Sequence, residues 1–211
     1  MVNRTGGGRR PAPGRRSGAR GGDGRTAPRS VVVTLVAAVA VVLLALCTAP
    51  AAGTTRAAPP WPAPTDLQTR AEAAGLRNVW GEPLAEHVHT HLTILDGSTP
   101  VTVPGNVGHS SRERFAAELH THDTSGILHV ESPTRQTFTL GQFFDEWDVS
   151  LGAGHVGGLR GELTVWVDGH RYLGNPRSIE LTNRREVVLA VTTIGEVPRL
   201  PAPFDWPPQY R

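Results

Sequence analysis

Seven of the nine histidines in this chain lie between residues 87 and 129. One group reads His87-Val88-His89-Thr90-His91, a second reads His120-Thr121-His122-Asp123, and His129 follows a short turn later. Successive side chains on a β-strand point to opposite faces, so residues two apart share a face. Each group, as a strand, lines up its imidazoles. Neutral imidazole is the commonest metal ligand, which makes metal binding the first chemistry to consider. A His-x-His pair places two Cα atoms about 6.7 Å apart, and both rings can bend onto one ion with metal–nitrogen bonds of about 2.0–2.1 Å. His87 and His91 would stand about 13 Å apart on a straight strand. Two of the first three are therefore expected to ligate, His89 with either His87 or His91, and His120 with His122 supplies the other pair.

Asp123-Thr124-Ser125-Gly126 is a turn-rich tetrapeptide. With those four residues as the loop, His122 faces Ile127 and His120 faces His129. Opposed Cβ atoms in an antiparallel pair lie about 4.5–5.5 Å apart. His120, His122 and His129 then share a face, with Glu131 close by. The expected ligands are thus His87, His89, His91, His120, His122 and His129. Asp123 and Glu131 are placed to orient a histidine through its other ring nitrogen. Nitrogen ligands without sulfur suit Zn²⁺ or Cu²⁺. His-x-His alone is weakly specific, and strand histidines often fill a polar face; two same-face clusters carry the hypothesis. His109, His155 and His170 stand alone in loop or turn positions and read as surface residues.

Other chemistry is limited by composition. Cys47 is the only cysteine and Met1 the only methionine. The exported part therefore has no internal disulfide, no thiolate metal site and no His–Cys–Met blue-copper set. No H-E-x-x-H helix, nucleophile elbow or phosphate-binding glycine loop is present, and Ser125 before Gly126 reads as a turn residue. Binding is favoured over catalysis. One alternative is a zinc-dependent hydrolase on the same histidines, with Glu131, Glu86 or Asp123 as base. The other is a metal-free cell-surface interaction domain with packed or pH-responsive histidines.

The elements that must position these residues are mostly strands. In His87–Leu95 the histidines, Thr93 and Leu95 take one face and Val88, Leu92 and Ile94 the other. Asp96-Gly97-Ser98 turns this strand into Pro100–Val103, a hairpin. Ser110-Ser111-Arg112-Glu113 resembles a capping box opening a short helix through Glu118, and Asp66–Ala74 reads as another, stopped by Gly75. The clearest helix follows Thr139, with Gln142 completing a capping box and Phe138 able to staple onto Phe143. Leu140, Phe143, Phe144 and Trp147 form its apolar stripe. A flexible loop spans Gly152–Gly161. Beyond it, Leu163–Val167 and the stretch near Tyr172 pair through Asp168-Gly169, a hairpin signature. Ser178–Leu181 and Glu186–Thr193 add strands. The pattern predicts an α+β, β-rich fold with a mostly antiparallel sheet and one amphipathic helix, and the run from Gly126 onward is β-grasp-like.

The N-terminal third differs in kind. Residues 1–30 are rich in Gly, Pro and Arg and are expected to be a disordered cytoplasmic tail. Residues 31–47 are uncharged and apolar, at the short end for a membrane-spanning helix. The preceding arginines place the N-terminus in the cytoplasm and the rest outside. An uncleaved signal anchor, giving a single-pass cell-membrane protein, is the favoured fate. Cleavage near Ala49–Gly53 would instead give a secreted protein. Lipidation at Cys47 is a further option, against which Leu46 stands where a small residue belongs. Residues 48–64 read as an Ala/Pro-rich linker, 65–197 as the extracytoplasmic domain and 198–211 as a Pro-rich tail, extended and anchored by Phe204 and Trp206.

The formal charge of +2 conceals two opposite halves. Residues 1–56 hold nine Arg and one Asp, whereas residues 57–211 hold twelve Arg against eighteen Asp and Glu. An acidic exported domain lacks the basic footprint of a nucleic-acid binder.

The His-x-His-x-His-Leu run, Leu-His-Thr-His-Asp-Thr-Ser-Gly-Ile-Leu-His-Val-Glu-Ser-Pro at 119–133 and Phe-Thr-Leu-Gly-Gln-Phe-Phe-Asp-Glu-Trp at 138–147 together resemble an uncharacterised prokaryotic family of secreted or membrane-anchored proteins. The resemblance covers about residues 85–192. It implies export and a domain boundary and carries no activity with it. Some members of that family have a cysteine before the Leu-His-Thr-His motif; Arg112-Glu113-Arg114-Phe115 stands there in this chain, so a thiol-dependent role does not transfer.

Overall fold

The computed structural model describes residues 57–210. The basic head, the apolar run 31–47, Cys47 and the first part of the Ala/Pro-rich stretch lie outside the described residues. Among those described, no helix is long and apolar enough to cross a membrane.

Helix α1 (Leu67–Ala73) is followed by β1 (Glu86–Asp96), β2 (Thr99–Val101), β3 (His109–Ser110), β4 (Phe115–Ala116), β5 (Leu119–His120) and β6 (Ile127–Ser132). Helix α2 (Leu140–Glu146) leads to β7 (Leu151–Gly152), β8 (His155–Val156), β9 (Leu159–Arg160), β10 (Glu162–Val167), β11 (His170–Arg171) and β12 (Arg185–Thr192). The principal sheet has the order β11-β10-β12-β1-β6-β5, and β2 also pairs with β1. Its two central strands, β1 and β12, run parallel, with Leu92 opposite Val187 and Ile94 opposite Leu189. The other pairs in this sheet are antiparallel. The sheet is mixed and the architecture is α+β and β-rich.

Alternation along β1 decides which face carries what. Thr90, Leu92 and Ile94 are buried on one face, and Leu92 and Ile94 belong to the cluster that holds the helical aromatics. On the other, Leu95 joins Trp166, Val188 and Ala190 in a smaller apolar patch, and the histidines extend that face toward the start of the strand. Helix α2 forms as its sequence dictates. The Gln142 N–H donates to Thr139 Oγ1, and the Thr139 N–H donates back to Gln142 Oε1 at 3.0 Å. Leu140, Phe143, Phe144 and Trp147 are fully buried. Burying a large apolar side chain contributes about 1.5–3 kcal/mol, so this stripe anchors the helix to the sheet. Trp61 adds to the same core, edge-on to Trp147 with ring centroids 5.7 Å apart.

Several local expectations are corrected. Ser110–Glu118 is not helical: the Glu113 N–H does donate to Ser110 Oγ, but the segment closes the β3–β4 hairpin, with Arg114 at φ 54°. Gly152–Gly161 is no open loop but the small three-stranded sheet β7-β8-β9. Ser178–Leu181 forms the end of a 3-10 turn and a single bridge, Glu180 to Thr139, instead of a strand. The hairpin through Asp168-Gly169 forms as read, with both residues at positive φ.

Candidate metal centre

Four strand segments bring the histidines together. On β1 and β6, His89 stands opposite His129 and His87 opposite Glu131. On β5 and β6, His120 stands opposite His129. That last pairing is the one anticipated from the turn, but the ladder is short and stops at His120. His122 lies beyond it and still places its ring 4.4 Å from that of His129. Gly126 permits this turn: at φ 82° it sits where an added Cβ would fall 2.5 Å from the Leu92 carbonyl oxygen.

The result is a file of imidazoles across one face of the sheet. Ring centroids lie 4.8 Å apart for His87 and His89, 4.5 Å for His89 and His129, and 4.8 Å for His120 and His122. Two trios, His87/His89/His129 and His120/His122/His129, each offer ligand nitrogens within 4.8 Å of one another. A tetrahedral ion with bonds of about 2.0–2.1 Å needs nitrogens roughly 3.4 Å apart. Closing on such an ion requires these side chains to rotate inward.

His91 is not brought into either group. Its Nε2 donates to the Ser125 carbonyl at 3.0 Å, and its ring lies against Phe204. Its role is to fasten the turn and the C-terminal tail. His109, read from sequence as a surface residue, does enter, with its ring 4.4 Å from His122 and 5.5 Å from His120. Nothing local marks it, because the β3–β4 hairpin carries it there from outside both motifs. Asp123 also differs from expectation. Its Oδ1 accepts from the Ser125 N–H at 2.8 Å, closing the turn, and it feels His122 and His129 only through space.

Glu131 is the carboxylate at the centre. Its Oε1 lies 3.2 Å from His87 Nε2, 3.6 Å from His129 Nδ1 and 3.9 Å from His120 Nε2. Imidazole neighbours, His129 foremost, hold this carboxyl below its ordinary range and ionised. Burial lowers the imidazoles as well, which leaves them uncharged. Desolvation, reinforced by His129 and His87, lowers His89 to about 4. Burial likewise lowers His120, His122 and His109. These rings are neutral at neutral pH and keep a lone pair for an ion.

The hydrogen bonding fits a metal. His120 Nδ1 donates to the Ala117 carbonyl at 2.8 Å. That bond sets its tautomer and leaves Nε2 as the acceptor facing Glu131, the usual way a ligating imidazole is oriented. His89 Nε2, His109 Nδ1 and His129 Nδ1 are buried without a hydrogen-bond partner. Buried polar atoms in native folds are nearly always satisfied, and a coordinated ion would satisfy these. A cleft of about 420 Å³, lined by Trp80, His109, His120, His122 and Glu131 among others, opens onto the second trio.

No family model, curated protein or solved structure matches this chain.

Proposed function

We propose that this chain is a membrane-anchored extracytoplasmic protein that binds a divalent transition metal, Zn²⁺ or Cu²⁺, through strand histidines, and that it sequesters, delivers or senses that metal. The carrying observation is the convergence of two histidine trios whose ligand nitrogens lie within 4.8 Å, next to buried imidazole nitrogens that lack partners. Of the six ligands expected from sequence, this reading keeps His87, His89, His120, His122 and His129. It adds His109 and leaves His91 in a packing role. In this reading the run from Gly126 onward is a β-grasp-like unit, with α2 between β6 and β10 in the chain. Anchoring rests on the apolar run 31–47 behind its arginines, with secretion after cleavage as the other outcome. The basic residues are thereby used for topology, and the acidic domain is suited to a cation.

The test is metal content and thermal shift of the full-length chain, purified without an affinity tag and titrated with Zn²⁺ and Cu²⁺. Replacing His120 and His122 together by alanine should sharply reduce the shift. A shift of undiminished size in that variant would defeat this reading in favour of a metal-free interaction domain.

One observation favours a second reading. The cleft beside His120 and His122 also exposes Glu131, as a zinc-dependent hydrolase requires of an ion with an open position and a nearby base. Absorption of the Co²⁺-substituted protein decides between them. A five-coordinate spectrum that changes on adding azide supports the hydrolase, and a closed tetrahedral spectrum supports binding alone.

A further inference from the structure

We infer that the site holds two divalent ions, one on His87, His89 and His129 and one on His109, His120 and His122, with the Glu131 carboxylate between them. This rests on the metal-binding reading above and adds a second ion to it.

Donor number is the first argument. A tetrahedral ion uses four ligands. The file contains His87, His89, His109, His120, His122 and His129, with Glu131 touching three of them. Seven donors exceed what one such ion can take. A single ion would leave part of the set buried and unsatisfied, and the unpartnered nitrogens lie at both ends of the file: His89 in the first trio, His109 beside the second, His129 in the middle. Two ions account for all of them.

Position is the second argument. His87 belongs only to the first trio and His120 only to the second, yet Glu131 Oε1 lies within 3.9 Å of a nitrogen of each. A carboxylate so placed offers an oxygen to both ions, and its charge offsets their repulsion. Paired ions in such centres stand about 3.5–4 Å apart. His129 gives the lone pair of one ring nitrogen to one ion only. His109, 4.4 Å from His122, completes the second set when His129 is engaged by the first.

The experiment measures bound Zn²⁺ per chain in the full-length protein after chelator stripping, reloading and dialysis. Two equivalents are expected, falling to one in His87→Ala/His89→Ala and to one in His109→Ala/His122→Ala. One equivalent in the unaltered chain, lost completely in either double variant, would overturn the two-ion centre while leaving metal binding intact. No bound Zn²⁺ or Cu²⁺ would overturn the underlying reading. Circular dichroism checks that the variants fold, and electron paramagnetic resonance of the Cu²⁺-loaded unaltered chain gives a readout free of substitution. Spin-coupled signals support two neighbouring ions, and uncoupled mononuclear signals at full loading refute them.

Discussion

Phe204 lies flat on the imidazole of His91, with ring centroids 3.6 Å apart and planes 12° from parallel. Trp206 meets the same imidazole edge-on at 6.3 Å, and Tyr210 brings its ring within 4.3 Å of His89. The Phe204 N–H is held by Glu186 Oε2 at 3.0 Å. The C-terminal tail is therefore a strap across the histidine-bearing face, and His91 is the residue it grips.

Removing that strap should speed exchange without removing ligands. A chain ending at Pro203 is expected to bind the same number of ions and to lose them to a chelator about tenfold faster, equivalent to ~1.4 kcal/mol. Stopped-flow release into a colorimetric chelator measures this. An unchanged rate would mean that the tail does not cover the site.

The metal-free fold should weaken in mild acid. His89, His91, His109, His120 and His122 are held below the ordinary histidine value, chiefly by burial. Between the lowered folded values, about 4 for His89, and the unfolded value of about 6.5, the unfolded chain binds more protons. Stability then rises with pH across this window and falls as pH drops through it. Glu131, lowered by its imidazole neighbours, adds a loss of the same sign in stronger acid. Thermal melts of the stripped protein at pH 7, 6 and 5 should show progressively lower Tm. A flat profile would contradict the burial of these rings.

Glu146 behaves oppositely. It is buried in the core with neither carboxyl oxygen hydrogen-bonded, and desolvation pushes its pKa well up. The fold keeps it protonated while the unfolded chain ionises above about pH 4.5, so its contribution is lost as pH rises. Glu146→Gln should leave Tm unchanged near pH 4 and raise it at pH 8. About 1 kcal/mol would give roughly 2–4 °C in a chain of this size. Equal melts at pH 8 would show that Glu146 carries no such cost.

Trp61 tests how much of the proline-rich stretch belongs to the fold. It is 2% exposed, and its Nε1 donates to the Ala57 carbonyl at 2.8 Å. Trp61→Ala should cost about 3–5 kcal/mol, the range for a buried aromatic, measured by urea denaturation. A cost below about 0.5 kcal/mol, typical of surface positions, would place this stretch outside the core.

Much of the site was legible because its signals are local. Period two put His87 and His89 on one face, the Asp123–Gly126 turn put His120 opposite His129, and the Thr139–Gln142 box opened the helix. Misreadings arose where one local pattern serves two structures. Ser110–Glu113 has a helix-capping sequence, and the same side chain-to-backbone bond also closes a hairpin. Glycines in 152–161 read as a loop and instead allow three two-residue strands.

Sequence by itself determined which side chains are available and which of them share a strand face, since both follow from residue identity and backbone period. The tertiary structure decided which of them meet. Parallel pairing of β1 with β12, the entry of His109, the capture of His91 by the tail and the burial of Trp61 all join residues far apart in the chain. Such contacts are selected by burial of the whole core, a sum over many distant side chains that no local spacing records.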